Sequence, residues 1–215
     1  MCLPTTGPQA RRTATLIDLS SDAQLHRWAG LMGPSQADRL LATLSQSLDW
    51  QQPKITVYGR QHPVPRLTAW HGDAGLRYRY SGHTHTARGW PAALLPIKTA
   101  VEKVTGKTFN SVLANLYRNG DDRMGYHSDN EPELGHAPWV ASYNLGACRE
   151  LTFRPKGPGS RRQCLSVPLH HDDLLLMSPG VQADFEHALP RRRNRPDPRI
   201  NLTFRQIVHG HDLAT

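Results

Sequence analysis

The spacing of apolar positions changes about halfway along the chain, from a helical period to the alternation typical of β-strands. A helix is predicted to begin near Ser35, and a second is expected to open at Pro91 and to end at Gly106. Apolar residues recur three and four positions apart in both segments. They are Ala37, Leu40, Leu41, Leu44 and Leu48 in the first, and Leu94, Ile97, Val101 and Val104 in the second.

After the second helix the pattern turns to short strands that are separated by turn residues. The predicted strands cover residues 110–118, 139–145, 149–154, 164–169, 173–178 and 199–207. Helices followed by short strands predict an α+β, mainly β fold with flanking N-terminal helices. A jelly roll of the double-stranded β-helix type fits this order, and periodicity alone also allows an unspecified sandwich.

Length and charge narrow the class of protein further. The 215 residues suit one domain with a sizeable core, which we place at residues 13–215, after a polar and disordered tail at residues 1–12. Lys and Arg number 26 against 18 acidic residues, a formal charge of +8, which favours polyanionic partners. Two arginine blocks fall between predicted strands, where they could clamp phosphates: Arg191, Arg192, Arg193 and Arg195, and Arg161 with Arg162.

Features that would direct the chain out of the cell or into a membrane are not found in the sequence. The three cysteines (Cys2, Cys148 and Cys164) are too few for a disulfide framework, so we expect a reducing compartment. No apolar run reaches membrane-spanning length, and the N-terminus lacks the apolar core of a signal peptide. We therefore expect an intracellular protein without membrane contact.

The strand predicted near the C-terminus has two very different faces. Alternation along residues 199–205 places Ile200, Leu202 and Phe204 on one face, and the other face carries Arg199, Asn201, Thr203 and Arg205. A guanidinium binds a carboxylate with two parallel hydrogen bonds. An arginine at each end of the polar row therefore predicts a site for a small dianion, although a solvated outer strand would show a similar pattern.

A candidate metal site lies upstream of this strand. His127 and Asp129 are two positions apart on an extended segment, so their side chains point the same way, and His187 is the best third ligand. Two histidines and one carboxylate form the open facial triad of non-haem Fe(II) oxygenases. The His-x-Asp pattern alone is weak, because it also occurs at His71, His170 and His171. The copies at 170–173 precede a buried apolar run and predict a turn.

These motifs, in this order, resemble those of the AlkB family of Fe(II)- and 2-oxoglutarate-dependent dioxygenases, near its human DNA-repair members. The resemblance covers roughly residues 50–208. The matching segments are Val57-Tyr58-Gly59, Gly72-Asp73-Ala74-Gly75-Leu76, Thr105-Gly106-Lys107-Thr108-Phe109-Asn110, Asn115-x-Tyr117, His127-x-Asp129, Gly146-Ala147-Cys148-Arg149 and Asn201-Leu202-Thr203-Phe204-Arg205. The resemblance implies a nucleotide-recognition lid and helices at about 50–108 and a jelly-roll catalytic core at 109–208.

The resemblance also implies a cofactor, a co-substrate and their ligands. His127, Asp129 and His187 would bind Fe(II), and dioxygen and 2-oxoglutarate would take the open positions. The far carboxylate of 2-oxoglutarate would meet Arg205, while Arg199 would add charge near the iron. Hydrogen bonds would come from Asn115, Tyr117, Asn201 and Thr203.

The reaction implied is oxidative repair of a base. Decarboxylation of 2-oxoglutarate to succinate would drive hydroxylation of an N-methyl group on 1-methyladenine or 3-methylcytosine, with release of formaldehyde. The damaged base would be flipped out of single- or double-stranded DNA. Tyr58 would serve as a wedge in the duplex, and the base pocket would comprise Trp70, His71, Tyr78 and Glu131. Core packing of Tyr58, and ordinary loop anchors at Trp70 and His71, are the alternatives.

Other functions remain open at this point. RNA is an alternative substrate for the same chemistry, and a protein or small-molecule hydroxylase could use the same scaffold. A catalytically inactive nucleic-acid-binding module is disfavoured, because all five catalytic candidates (His127, Asp129, His187, Arg199 and Arg205) are present. We expect a monomer, cytoplasmic and nucleoid-associated if bacterial, and nuclear if eukaryotic.

Overall fold

The computed structural model describes residues 13–57, 59–80, 83–157 and 164–208, in which short strands predominate over helices. The strands are β1 (Thr15–Asp18), β2 (Gln24–Trp28), β3 (Lys54–Val57), β4 (Arg60–Pro63), β5 (Leu67–Gly72), β6 (Arg77–Tyr80), β7 (His83–Thr86), β8 (Ser111–Tyr117), β9 (Met124–His127), β10 (Val140–Gly146), β11 (Arg149–Pro155), β12 (Leu165–Leu169), β13 (Asp173–Met177), β14 (Phe185–Leu189) and β15 (Arg199–Arg205). The helices are α1 (Pro34–Ser47), α2 (Leu95–Thr105) and α3 (Pro179–Asp184), with a 3-10 turn at Pro132–Leu134.

Two antiparallel sheets build the core of the fold. The major sheet has seven strands in the order β1-β2-β13-β10-β15-β8-β5, and the minor sheet has four in the order β12-β11-β14-β9. Two hairpins, β3–β4 and β6–β7, stand outside both sheets. This mainly β arrangement confirms the predicted jelly roll, in which inward side chains from separated strands meet between the sheets.

The apolar core consists of two main layers on opposite faces of the major sheet. One layer lies between this sheet and helices α1 and α2, and it contains Val112, Ala114 and the apolar face of β15. The second layer lies between the two sheets and contains Tyr117, Leu175 and Met177. Burial of a large apolar side chain stabilises a fold by about 1.5–3 kcal/mol. The first layer therefore fixes the helices on the major sheet, and the second fixes the two sheets against each other.

Both predicted helices form, with one change at a boundary. Helix α2 begins at Leu95, four residues after Pro91, because Pro96 occupies its first turn and the residues after Pro91 form a turn of their own. Gly106 ends α2 as predicted, with a φ of 66° that favours glycine. No helix in the described part of the chain is long and apolar enough to cross a membrane.

The six predicted strands are confirmed as β8, β10, β11, β12, β13 and β15, each to within two residues. The prediction that strands begin only after the second helix was wrong, because β2 and β5 both join the major sheet. Strands β9 and β14, which pair with each other in the minor sheet, were not predicted from the sequence. The expected tail at residues 1–12 lies outside the described residues.

The turn predicted at residues 170–173 is confirmed, and Asp172 gives it a structural role. Its φ is 67°, and its carboxylate accepts hydrogen bonds from the Met32 and Gly33 backbone amides at 2.9 and 2.7 Å. The Tyr143 hydroxyl donates a third hydrogen bond to it at 2.6 Å. This buried carboxylate therefore joins the start of α1 to β10 and to the turn before β13.

We expect Asp172→Ala to lower the free energy of unfolding by about 3 kcal/mol, because it removes the acceptor of the buried Tyr143 hydroxyl and of two partly buried backbone amides. Urea unfolding followed by circular dichroism measures this loss. Asp184→Ala, at an exposed aspartate, is the matched control and should change stability by no more than about 0.5 kcal/mol. Equal effects of the two substitutions would contradict the structural role of Asp172.

Candidate active site

Three predicted metal ligands meet at the edge of the minor sheet. His127 ends β9, Asp129 follows two residues later, and His187 lies opposite His127 in the neighbouring strand β14. One donor atom from each of the three lies within 4.8 Å of the others, and the two imidazole centroids are 4.3 Å apart. The structure thus brings together two histidines and one carboxylate at the spacing that a single metal ion requires.

Local hydrogen bonds orient these ligands. His127 Nδ1 lies 3.0 Å from the Gly125 carbonyl oxygen, so Nδ1 carries the proton and Nε2 is left to bind a metal. The Asp129 backbone amide donates to the buried Gln182 side chain at 2.8 Å. Within the described residues, Asp129 Oδ2 and His187 Nδ1 are buried without a hydrogen-bond partner. Buried polar atoms without partners are costly. A metal ion held between Asp129 Oδ2 and His187 Nε2, which lie 3.9 Å apart, accounts for the retention of the carboxylate oxygen.

The environment keeps two of these ligands in the protonation states that metal binding needs. Burial acts to raise the pKa of Asp129, but the charges of Arg205, His187 and His127 outweigh it and lower that pKa to about 2. Burial, with the charge of His127, lowers the pKa of His187 to about 3. At neutral pH the carboxylate is therefore ionised and the His187 imidazole is neutral.

A pocket with an empty volume of about 440 Å³ opens beside the three ligands, between the two sheets. The polar face of β15 forms one wall, and all four residues predicted for it line the pocket. Asn115 and Tyr117 contribute from β8, where they lie opposite Asn201 and Arg199 in the strand register. The residues predicted to bind the co-substrate are therefore gathered in one pocket with the metal ligands.

The two arginines lie at opposite ends of this wall, in the reverse of the expected order. Arg205 Nη2 donates to Asp129 Oδ1 at 2.5 Å, so Arg205, not Arg199, lies at the metal end. Arg199 lies six residues away on the same strand, where its guanidinium carbon is 5.3 Å from the Tyr117 ring centroid. The prediction that Arg199 adds charge beside the metal was wrong, because it is Arg205 that pairs with the metal-ligating carboxylate.

Arg199 retains a positive charge that the protein itself does not neutralise. Burial lowers its pKa to about 10, which still leaves it protonated at neutral pH. Its Nη2 donates to Asn144 Oδ1, and no carboxylate within the described ranges lies within ion-pair distance. A buried cation of this kind favours an anionic ligand, so the Arg199 end of the pocket suits a carboxylate.

Two polar residues that hold this wall in place, Ser142 and Asn144, were not predicted from the sequence. The Asn201 amide donates to Ser142 Oγ at 2.7 Å, and Asn144 accepts from both Arg199 and Asn201. Both missed residues lie on β10, which is opposite β15 in the register. Two polar residues at alternate positions of an otherwise apolar strand were the signal in the sequence.

The predicted base-binding residues are only partly brought together. Trp70 on β5 lies opposite Leu113 of β8, so it is on the same face of the sheet as Asn115. It packs near Leu134, which follows Glu131 by three residues.

His71 lies opposite Val112 and therefore faces the helix layer, away from the pocket. Burial there lowers the pKa of His71. The base-binding role expected of His71 stays a prediction, and this orientation does not favour it. Tyr58 and the side chain of Tyr78 lie outside the described residues.

The arginine block at residues 191–195 lies in the loop that joins β14 to β15. Two of its side chains are held by carboxylates of the chain itself. Arg191 Nη2 lies 2.6 Å from Asp121 Oδ1, and Arg192 Nη2 lies 2.7 Å from Glu150 Oε2. These ion pairs attach the loop to its neighbours and leave fewer arginines available for an external anion.

The rest of the block combines free side chains with a fixed backbone. Arg193 and Arg195 are exposed, and their side chains form no hydrogen bond or ion pair with any other described residue. The Gly120 amide donates to the Arg195 carbonyl at 2.6 Å, and the Arg192 amide donates to the Gly120 carbonyl at 2.7 Å. A Cβ at Gly120 would lie 1.7 Å from the Arg192 carbonyl oxygen, so this close approach requires glycine. Arg161 and Arg162 lie outside the described residues.

Comparison with known proteins agrees with this site. Residues 24–205 match the family described as the 2OG-Fe(II) oxygenase superfamily. The chain is 39% identical over 186 residues to the DNA oxidative demethylase ALKBH2 of Mus musculus, which covers 83% of this chain and 78% of that protein. It is 38% identical over 187 residues to the human alpha-ketoglutarate-dependent dioxygenase alkB homolog 3, covering 84% of this chain and 65% of that protein.

Among solved structures, OsALKBH1 has the same fold. The TM-score is 0.60 at 16% identity, and the match covers 89% of this chain and 100% of that chain. The metal ligands, the arginine row and the match over most of the chain all agree on the cofactor and co-substrate, Fe(II) and 2-oxoglutarate. The chain therefore belongs to the AlkB family of Fe(II)- and 2-oxoglutarate-dependent oxygenases.

Proposed function

We propose that this protein is a DNA oxidative demethylase that repairs N-alkylated bases, with 1-methyladenine and 3-methylcytosine as its substrates. One observation supports this above all. The triad of His127, Asp129 and His187, with Arg205 on Asp129, is complete in a chain 39% identical to a DNA oxidative demethylase over most of its length. The monomeric state and the compartment expected from the sequence remain predictions.

Bound Fe(II) supplies the redox chemistry that couples decarboxylation of 2-oxoglutarate to hydroxylation of the N-methyl group. One oxygen atom of dioxygen ends in succinate and the other on the methyl carbon, which leaves the base as formaldehyde. No protein nucleophile is needed. The chain must instead bind both substrates, orient them and keep competing water out of the pocket.

The charges of the pocket indicate how the co-substrate lies. 2-Oxoglutarate carries two carboxylates, and the wall formed by β15 has one arginine at each end. We infer that the far carboxylate binds Arg199, beside the Tyr117 ring, and that the keto-acid end points towards Asp129. Arg205 then holds the Asp129 carboxylate ionised and in position at the metal end. This orientation is the reverse of the one expected from the sequence.

We propose that the flipped base lies near Trp70 and Glu131. A methylated adenine or cytosine of this kind is a cation, which a tryptophan face and a carboxylate both attract. Trp70 shares the pocket face of the sheet, and the segment after Glu131 packs near it. The wedge role of Tyr58 and the stacking role of Tyr78 stay predictions from the sequence.

The exposed arginines of the loop at 191–195 are the proposed contact with the phosphate backbone. The surface of DNA is a dense row of negative charges, and each neutralised phosphate releases counterions. Arg193 and Arg195 are free to make such contacts, while the ion pairs of Arg191 and Arg192 fix the loop. Contacts of this kind position the enzyme on DNA and do not read its sequence.

We expect His127→Ala to abolish formaldehyde release and to leave DNA affinity within about twofold, because it removes a metal ligand and no phosphate contact. The assay uses Fe(II), 2-oxoglutarate and a 1-methyladenine oligonucleotide, with fluorescence anisotropy for binding. His136→Ala removes an exposed histidine and should retain full activity. Retained turnover in His127→Ala would rule out the metal assignment.

The same assay with a matched RNA oligonucleotide distinguishes the two nucleic-acid substrates. A higher kcat/KM on DNA is the expected result. A clear preference for RNA would overturn the DNA part of the proposal and leave the chemistry unchanged. Turnover on neither substrate, with succinate still formed, would favour a protein or small-molecule hydroxylase.

We expect the double substitution of Arg193 and Arg195 by alanine to weaken duplex DNA binding about tenfold at low salt. The slope of log K against log salt should fall in magnitude by roughly 1–2, since up to two phosphate contacts are lost. Activity on a methylated trinucleotide should stay unchanged, because so short a substrate does not reach the loop.

The matched control removes two exposed positive charges from the helix layer, by alanine at Arg39 and Lys103. This control has the same net charge as the loop variant and should bind duplex DNA nearly as well as the original protein. Equal loss of affinity in both variants would show that overall charge, and not this loop, determines binding.

A further inference from the structure

Arg66 is a buried cation that is not among the metal ligands and does not line the co-substrate pocket. It lies between the hairpin β3–β4 and strand β5, and only 6% of its surface is exposed. Within the described ranges, no carboxylate lies within ion-pair distance of its guanidinium. An unpaired buried charge is destabilising, so its presence at this position calls for a functional reason.

Among the described residues, the Arg66 side chain makes one short hydrogen bond, to a residue of the co-substrate pocket. Its Nε donates to Asn115 Oδ1 at 2.9 Å. A guanidinium has only donors, so the atom that it contacts must be the amide oxygen and not the amide nitrogen. The contact therefore determines which way the Asn115 amide faces, a choice that an isolated asparagine leaves open.

Because the Asn115 amide oxygen is bound to Arg66, the amide nitrogen remains available as a hydrogen-bond donor. Asn115 lines the pocket, and within the part of the chain that the structure describes its Nδ2 makes only a long contact of 3.5 Å, to the Leu113 carbonyl oxygen. An anionic co-substrate needs hydrogen-bond donors, and the reversed amide would present oxygen lone pairs to it instead. A wrong orientation would therefore repel the ligand that the correct orientation binds.

The backbone around Arg66 keeps the guanidinium in place. The Arg66 amide donates to the Val64 carbonyl at 2.9 Å, and the Val64 amide donates to the Pro53 carbonyl at 2.9 Å. The Arg123 amide, just before β9, donates to the Pro65 carbonyl at 3.0 Å. The segment is thus tied on one side to the base of the hairpin and on the other to the strand that carries His127.

We propose that Arg66 is a positioning residue that holds the Asn115 amide as a hydrogen-bond donor to 2-oxoglutarate. The proposal rests on the co-substrate part of the proposed function and is independent of the nucleic-acid substrate. Arg66 acts through Asn115 and does not line the pocket itself. Loss of Arg66 should therefore matter only as long as Asn115 is present.

A double-mutant cycle tests the proposal by binding alone. 2-Oxoglutarate is titrated calorimetrically onto the full-length protein loaded with Mn(II), without nucleic acid. Arg66→Met and Asn115→Ala should each raise the Kd about tenfold, the order expected for losing one hydrogen bond to a charged group. The double variant should be no weaker than Asn115→Ala alone. Arg66→Lys, which keeps a donor-only cation, should lose less than Arg66→Met.

Two results would overturn the proposal. One is an unchanged Kd in Arg66→Met, and the other is the same tenfold loss when this substitution is added to Asn115→Ala. Thermal unfolding with Mn(II) bound checks that each variant is folded, and Arg66→Gln takes the place of Arg66→Met if that variant is not. A protein that binds 2-oxoglutarate as expected but fails to demethylate DNA would contradict the proposed substrate and leave the role of Arg66 standing.

Discussion

The buried ion pair between Arg205 and Asp129 is the interaction on which the rest of the site depends. It joins β15 of the major sheet to the segment after β9 of the minor sheet, across 76 positions of sequence. Removing one partner of such a pair leaves an uncompensated buried charge, which is strongly destabilising. The contact therefore fixes the metal end of the arginine row and, with it, the direction in which a dianion can lie.

Charge balance in the pocket follows from this pair. Arg205 is matched by Asp129, whereas Arg199 has no carboxylate partner within the described residues. The pocket wall thus carries one excess positive charge before any metal binds, and Fe(II) adds two more. A dianionic co-substrate reduces this excess, so metal and co-substrate favour each other's binding electrostatically. A neutral molecule of the same size lacks this advantage.

The sequence predicted helices and strands that have a clear pattern of residues within their own segment. It did not predict features whose position depends on residues far away along the chain. Strands β8, β10 and β15 are seven residues long, and all three were predicted as strands. Clear alternation in β15 also allowed its two faces to be assigned. Strands β9 and β14 have four and five residues with no clear alternation, and pairing across the minor sheet fixes them. Alternation also gives the face of an arginine but not which end of its strand meets the metal, which explains the reversed order of Arg199 and Arg205.

Strand β15 couples the stability of the fold to ligand binding. Its apolar residues Ile200 and Phe204 belong to the core beneath α1 and α2, while its alternate residues form the wall of the pocket. A strand that moves on one face must move on the other, because successive side chains share one backbone. Substitutions in the helix layer that shift β15 would therefore displace the arginine row and weaken co-substrate binding without touching the pocket. His71, on the helix side of β5, is coupled to the pocket in the same way, through the strand that it shares with Trp70.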